Sequence, residues 1–304
     1  MNTTTGSWIE AMRLRTLPVS VAGVLAGTAC ALMAGKFLLL PAVICLVFAI
    51  IAQIASNFAN EYYDFRNGLD RKGRQGFRRG VTEGDISPRA MLRATYILLV
   101  LDSLLGLSLV YWGGPMLIPV GIAIALFAVG YSAGPYPLSH HGLGDVAVII
   151  FFGIVPVMFT AYLQCGSLID WPSWLAIGGA TGMMAANVLI VNNYRDADDD
   201  RAVGKHTTVV IFGRPAMSAV YLLFSLVALA LLAAVTSLNM PRFPSRLMTM
   251  AYAISATVYV QLWRRLRSLA GAPLNDVLRH TAMTMLAVCV CILTAAILTY
   301  FSVY

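Results

Sequence analysis

Between Lys36 and Glu61 the chain carries no charged residue, and most of that stretch is aliphatic or aromatic. Such a run has the length, about 20 residues, that a helix needs to cross a bilayer core about 30 Å thick. Comparable runs recur to the C-terminus and predict spans at 17–35, 38–60, 91–112, 116–132, 144–163, 173–193, 216–237, 247–263 and 281–302. Backbone crossing lipid must satisfy its own hydrogen bonds, so helices are the expected form. The expected fold is an all-α membrane protein, nine transmembrane helices bundled around a central cavity. With 12% charged and 59% hydrophobic residues in 304, the chain has too little polar surface for a soluble protein of this size.

Charge gives the orientation. If the N-terminus is cytoplasmic, all 21 Lys and Arg residues except Lys36, Arg242 and Arg246 fall on that side, as cytoplasmic loops require. That asymmetry accounts for the net charge of +7 without a nucleic-acid partner. Trp8, Trp112, Trp171, Trp174 and Trp263 fall at predicted helix ends, where amphipathic rings favour the membrane interface. Residues 1–16 are polar and then basic, so no cleavable leader is expected, and the expected location is a bacterial-type inner membrane. Cys30, Cys45, Cys165, Cys289 and Cys291 are odd in number and scattered, which argues for packing residues and against a disulfide framework.

Two polar stretches interrupt this pattern in the same way. Asn60-Glu61-Tyr62-Tyr63-Asp64 leads through Gly68 to Asp70 at the end of one apolar run. Asn192-Asn193-Tyr194-Arg195-Asp196 leads through Asp198, Asp199 and Asp200 at the end of another. Both contain Asn-x-Tyr-x-Asp, giving one domain over 1–304 with two acidic motifs at 57–70 and 192–205. Asn57, Asn60 and Asp64 share a helical face, and Asn192, Asp196 and Asp200 form a row on another if that helix continues past the bilayer surface. Asp198 and Asp199 point elsewhere, into solvent. Gly68 ends the first helix, so Asp70 must come back toward Asp64 through a loop.

Buried carboxylates at helix ends are costly, roughly 2.5–3.5 kcal/mol each at mid-bilayer, and paired clusters call for a cationic partner. Their hard oxygens suit Mg²⁺, which bridges one or two carboxylates to substrate phosphates. Arg71, Lys72, Arg74, Arg78 and Arg79 follow among glycines, and Lys205 follows the second motif. A basic loop of this kind ordinarily controls topology. Beside carboxylates it also fits a segment folding over an anion. Two acidic rows facing one cavity thus form a metal-loaded clamp for a diphosphate, above an apolar bundle that takes a long tail. Were the diphosphate allylic, its C–O bond would ionise, and the ring face of Tyr131 is a candidate to stabilise the cation. Residues 8–15 predict an interfacial helix. Its Arg13 or Arg15 is either a basic anchor or a contact to an anionic head group. His140-His141 lacks a third ligand and does not make a metal site.

These motifs resemble the UbiA-type intramembrane aromatic prenyltransferases, and within them the branch acting on 1,4-dihydroxy-2-naphthoate in menaquinone synthesis. The likeness is carried by Arg13-Leu-Arg-Thr-Leu-Pro18, Asn60-Glu-Tyr-Tyr-Asp64 with Gly68 and Asp70, Tyr131-Ser-Ala-Gly-Pro135, Gly142-Leu-Gly-Asp145, and Asn193-Tyr-Arg-Asp196 through Lys205. It implies Mg²⁺-dependent transfer of a polyprenyl chain from polyprenyl diphosphate to dihydroxynaphthoate with loss of the carboxyl group. Two magnesium ions would bridge the diphosphate, one held by Asn60, Asp64 and Asp70 and one by Asn192, Asp196 and Asp200. The same resemblance makes Asp64, Asp70, Asp196, Asp200 and Tyr131 the catalytic set. Arg15, Arg74, Arg79, Lys205, Asn193, Ser132 and Asp145 become the substrate contacts. One departure is Gly73, where many such proteins carry a further aspartate. Two alternatives stand beside this reading: another aromatic acceptor, such as 4-hydroxybenzoate or a haem precursor, and a transporter with intramembrane acids.

Overall fold

A computed structural model describes residues 3–72 and 76–303. Arg74 and Gly73 lie outside the described residues. The fold is all-helical, with no strand among the described residues. Its helices are α1 (Thr3–Ala11), α2 (Leu17–Met33), α3 (Leu39–Arg66), α4 (Gly80–Glu83), α5 (Pro88–Gly113), α6 (Leu117–Gly130), α7 (Gly144–Ile149), α8 (Val155–Cys165), α9 (Trp171–Ala202), α10 (Thr208–Asn239), α11 (Arg242–Ser268) and α12 (Leu274–Val303). Among the described residues, 6 helical stretches are long and apolar enough to cross a membrane: α3, α5, α7 with α8, α9, α10 and α12. Helices α2 and α6 are apolar but shorter. The predicted spans overlap these helices, the one at 144–163 being divided between α7 and α8. Helix α11, expected to be short, is 27 residues long but is not among the stretches apolar enough to cross.

Helix α9 is the centre. It packs against α10, α12, α7, α8 and α2, and 72% of its most apolar window is buried, against 17% for α5. Helix α5 is therefore a lipid-facing neighbour of α3 and α6. Large apolar side chains such as Leu104, Leu126, Leu223 and Ile254 point outward, as a surface against acyl chains requires. Buried polar groups tie the centre together. Asn187 on α9 donates to the carbonyl of Tyr221 at 3.0 Å and to Ser225 at 2.9 Å on α10. The Tyr221 hydroxyl meets Thr281 of α12 at 2.9 Å.

Between α7 and α8 the chain makes a π-helical turn at Ile150–Ile154. Pro156 follows and has no N–H to offer the Phe152 carbonyl, which explains why the ordinary ladder gives way here. The turn brings Gly153 against Gly178 and Gly182 of α9, where a Cβ on Gly153 would stand 2.3 Å from the Gly182 Cα. Only glycine permits backbones this close.

Two expectations need correction. Trp174 is not an interfacial ring: it is 1% exposed and packs in the main core, because it points inward one turn into the most buried helix. Cys291 is exposed and packs in no core, while Cys30, Cys45 and Cys289 are buried as expected.

Candidate active site

The first acidic motif closes α3. Asn57, Asn60 and Asp64 lie buried along one face, as their spacing predicts. Gly68 then takes a left-handed φ of 70°, and Leu69 N–H donates to the Asp64 carbonyl at 2.8 Å. The chain turns back, and the Asp70 carboxylate comes within 3.3 Å of Arg79 Nε. Arg79 Nη2 also lies 3.7 Å from Asp64 and donates to Asn60 Oδ1 at 3.1 Å. Asn60 Nδ2 donates to Asp64 at 3.1 Å and to Ser132 Oγ at 2.9 Å. Ser132 thus orients Asn60.

The second motif lies on α9, which runs on to Ala202 and so keeps Asn192, Asp196 and Asp200 in a row. Asp196 and Asp200 are buried. Asp198 and Asp199 are exposed, and Asp198 pairs with Arg214 at 3.0 Å. Arg195 grips Asp196 with two hydrogen bonds of 2.7 Å, the bidentate geometry that makes such pairs strong. It also donates to Asn192 at 2.8 Å and to Asn275 of α12 at 2.6 Å.

The two motifs meet at one chamber: of the first, Asn60 lines it, while Asp64 and Asp70 are joined to its wall through Arg79 and Lys205. Lys205, which follows the second, lies 3.6 Å from Asp64 of the first. A polar cavity of about 60 Å³ is lined by Asn60 and Arg79 on one side and by Asn192, Asn193, Asp196, Asp200 and Lys205 on the other, with Tyr131 between. Tyr131 also borders a second cavity of about 120 Å³, walled by Phe127, Phe152 and Leu278. That cavity shares Gln53, Ser56, Phe127 and Phe152 with a largely apolar cavity of about 320 Å³ between α3, α5, α6 and α8. A charged chamber therefore leads past one tyrosine into hydrocarbon-like space.

Of the remaining predicted contacts, Arg15 is exposed, and Arg13 enters the chamber in its place. Helix α1 ends at Ala11, earlier than expected, and Arg13 is the one non-glycine of positive φ (52°) among the described residues. This left-handed kink is uncommon for a long side chain. It accompanies a 2.5 Å hydrogen bond from Arg13 to Asn60. Asp145 is not in the chamber wall; it accepts from Thr208 at 2.5 Å and joins the starts of α7 and α10.

Several chamber residues had no signal in spacing. His140 Nε2 sits 3.5 Å from Asp64. Phe77 lies between two guanidinium groups, 6.0 Å from Arg13 and 5.5 Å from Arg195. Glu61, fully buried, accepts from Val81 N–H at 3.0 Å and seats the returning loop. The outer end of that loop is tied to α1. The Ser7 hydroxyl, donating at 2.6 Å, and the neighbouring Arg78 guanidinium hold the Asp85 carboxyl below the usual carboxylate range. A depressed carboxyl stabilises the folded arrangement above its ordinary pKa of about 3.9 and loses that contribution as pH falls through the lower folded value. At neutral pH, Asp85→Asn should therefore speed proteolytic nicking of residues 1–16, read as a shortened product on a gel. Equal rates would show that the tie carries nothing.

The donor set fits magnesium. Its oxygens are hard carboxylate and amide ligands, yet among the described residues no group of three or more His, Cys, Asp or Glu forms a ready cage. Carboxylate and amide oxygens are the ligands taken by an ion that shares one or two carboxylates with a phosphate. Charge points the same way. Asp64, Asp70, Asp196 and Asp200 are balanced by Arg13, Arg79, Arg195 and Lys205 in and around the chamber, so an entering polyanion must bring countercharge.

A helical membrane protein with such a chamber is built to handle an anionic head on a long apolar tail. Residues 20–274 match the UbiA prenyltransferase family, and the chain belongs to it: it is a membrane prenyltransferase. It is similar to the 1,4-dihydroxy-2-naphthoate octaprenyltransferase of Escherichia coli (strain K12), at 40% identity over 239 residues, 75% of this chain and 76% of that one. The protein of the same name from Mycobacterium tuberculosis (strain ATCC 25618 / H37Rv) is 35% identical over 280 residues, 92% of each chain. Among solved structures, an apo UbiA homolog from Aeropyrum pernix K1 aligns with a TM-score of 0.68 at 17% identity, over 92% of this chain and 97% of that one. A UbiA homolog from Archaeoglobus fulgidus, bound to DMAPP and Mg²⁺, gives 0.63 at 16% identity, over 95% and 99%. These two share the fold.

Proposed function

We propose that the protein transfers a polyprenyl chain from polyprenyl diphosphate to 1,4-dihydroxy-2-naphthoate, releasing diphosphate and the acceptor's carboxyl group as carbon dioxide, and giving the hydroquinone form of demethylmenaquinone. The observation that carries this is the shared chamber: the second motif's Lys205 stands 3.6 Å from the first motif's Asp64, and Tyr131 borders both the charged and the apolar side. The names of the relatives in Escherichia coli and Mycobacterium tuberculosis support the naphthoate acceptor.

In this reading Asn60, Asp64 and Asp70 hold one magnesium ion, and Asn192, Asp196 and Asp200 the other. Bound there, the metal would offset the charge of the diphosphate as it departs. Arg79 and Lys205 cover the remaining phosphate oxygens, Asn193 in the chamber wall contacts the substrate, and Ser132 orients Asn60. Tyr131 turns its ring toward the carbon that loses the diphosphate, where a π face stabilises cationic character. The apolar cavity takes the tail and excludes water. The new bond forms to the ring carbon that bore the carboxyl group. The chain works as one domain of nine crossings in an inner membrane, with N-terminus and chamber on the cytoplasmic side.

Purified protein given labelled polyprenyl diphosphate and a panel of aromatic acids tests the acceptor. Dihydroxynaphthoate should be prenylated, and preference for 4-hydroxybenzoate or a haem precursor would replace the naphthoate reading. A chelator should stop transfer completely and added magnesium restore it; turnover indifferent to chelator would remove the metal from the scheme.

A further inference from the structure

Helix α5 carries a carboxylate midway along a lipid-facing span. Asp102 is 6% exposed in a helix whose neighbours Leu101 and Leu104 face outward. It lies about 20 Å from the loop end of α5 at 1.5 Å per residue, and its side chain lines the large apolar cavity. Oδ1 is buried and meets no hydrogen-bond partner. The other polar residues in that wall are otherwise engaged where bonds are seen: Ser20 donates to Gln53, Gln53 donates to Thr16, and Ser103 donates to the Leu99 carbonyl. Asp102 is the only carboxylate among the described residues lining the cavity. An ionisable group at this depth is costly to keep and by default has a task.

We infer that Asp102 sets the length of prenyl tail the cavity prefers, an inference resting on the reading that this cavity holds the tail. Each isoprene unit taken into the cavity adds packing contacts with its apolar walls and tightens binding. A tail ending short of Asp102 leaves room for water on the carboxyl, whose hydrogen bonds are then kept. A tail passing over it strips that water and supplies no donor or acceptor in return. The gain from further units is then cancelled at α5. The carboxyl acts on ground-state binding of the tail and has no part in breaking the C–O bond.

The test is equilibrium binding of geranyl, farnesyl, geranylgeranyl and octaprenyl diphosphates with magnesium, to protein in detergent, by calorimetry. Wild type should gain affinity with length and then level off. Asp102→Leu should keep gaining, so that its octaprenyl-to-geranyl affinity ratio exceeds the wild-type ratio by about tenfold or more, the effect of leaving one polar group unpaired. Asp102→Asn keeps a polar group of the same shape and should hold the wild-type ratio within about threefold. Asp102→Ala removes the carboxyl without adding bulk and should shift the ratio as Leu does, which covers the case of a Leu variant that fails to fold. Equal ratios in wild type, Leu and Ala, or a shift with Asn as large as with Leu, would overturn the inference. Transfer assays run in parallel keep the two claims apart: parallel length profiles alongside normal transfer refute the tail-length role alone, whereas a break in binding without transfer refutes the reaction alone.

Discussion

Asp64→Asn and Asp196→Asn should each lower prenyl transfer by about 10²–10³-fold, the loss seen when one preorganised electrostatic group at a reacting centre is removed. Asparagine keeps the volume and removes the charge. At Asp64 that charge is where Lys205, Arg79 and His140 converge, at 3.6, 3.7 and 3.5 Å. Without it Lys205 and Arg79 are left facing each other, and in the proposed reading a magnesium ion loses one of its ligands. At Asp196 the loss frees Arg195 from its bidentate grip and empties the middle of the second row. Breaking a buried pair also costs stability, about 3–5 kcal/mol where one charge is left uncompensated, so thermal unfolding in detergent should accompany the kinetics. Asp199→Asn is the control, since that side chain is exposed and should leave turnover near normal. Wild-type turnover in the folded Asp64 or Asp196 variant would remove the acidic rows from the chemistry.

The second large effect is structural. Gly182→Val should prevent accumulation of folded protein, while Gly179→Ala is tolerated. A Cβ on Gly182 would stand 2.4 Å from the Ile149 carbonyl oxygen and 2.8 Å from its Cα. Neither atom belongs to a flexible side chain, so α9 and the end of α7, where the π-helical turn begins, would have to separate. Overpacking a core usually costs about 1–3 kcal/mol; here backbone itself must move, and the cost lies at or beyond the top of that range. Gly179, with nothing within 4 Å of its would-be Cβ, gains helix propensity instead. Yield in membranes and unfolding temperature separate the two, and a normal Gly182→Val protein would show that the crossing tolerates a side chain there.

The helical architecture was readable because lipid leaves few choices: uncharged runs of fixed length have to be helices. The two acidic rows were readable for a local reason, since residues three and four apart share a helical face. Asp70 could be followed because Gly68 marks the turn. What spacing could not reach is whatever arrives through space. Arg195, adjacent in sequence to Asp196, passes for a topology-setting charge until its grip is seen. Asn275 enters the site from 80 residues beyond Arg195, Leu278 follows on the same helix, and His140 lies in a loop whose paired histidines raise the question of metal binding rather than of a partner for Asp64. Arg13 and Arg15 are indistinguishable until the left-handed turn chooses between them. Asp102 draws no attention inside its apolar run, because nothing in the spacing says that it faces a cavity.

The backbone contact between the loops after α6 and α9, where His206 N–H donates to the His140 carbonyl at 3.0 Å, has a consequence for life in a variable solvent. Spanning helices answer changes in bilayer thickness by tilting, and helices that tilt independently carry their ends apart. A peptide-to-peptide link at the rim, beside His140 and Lys205 that both reach Asp64, holds the jaws of the clamp at one width while the shafts beneath them lean.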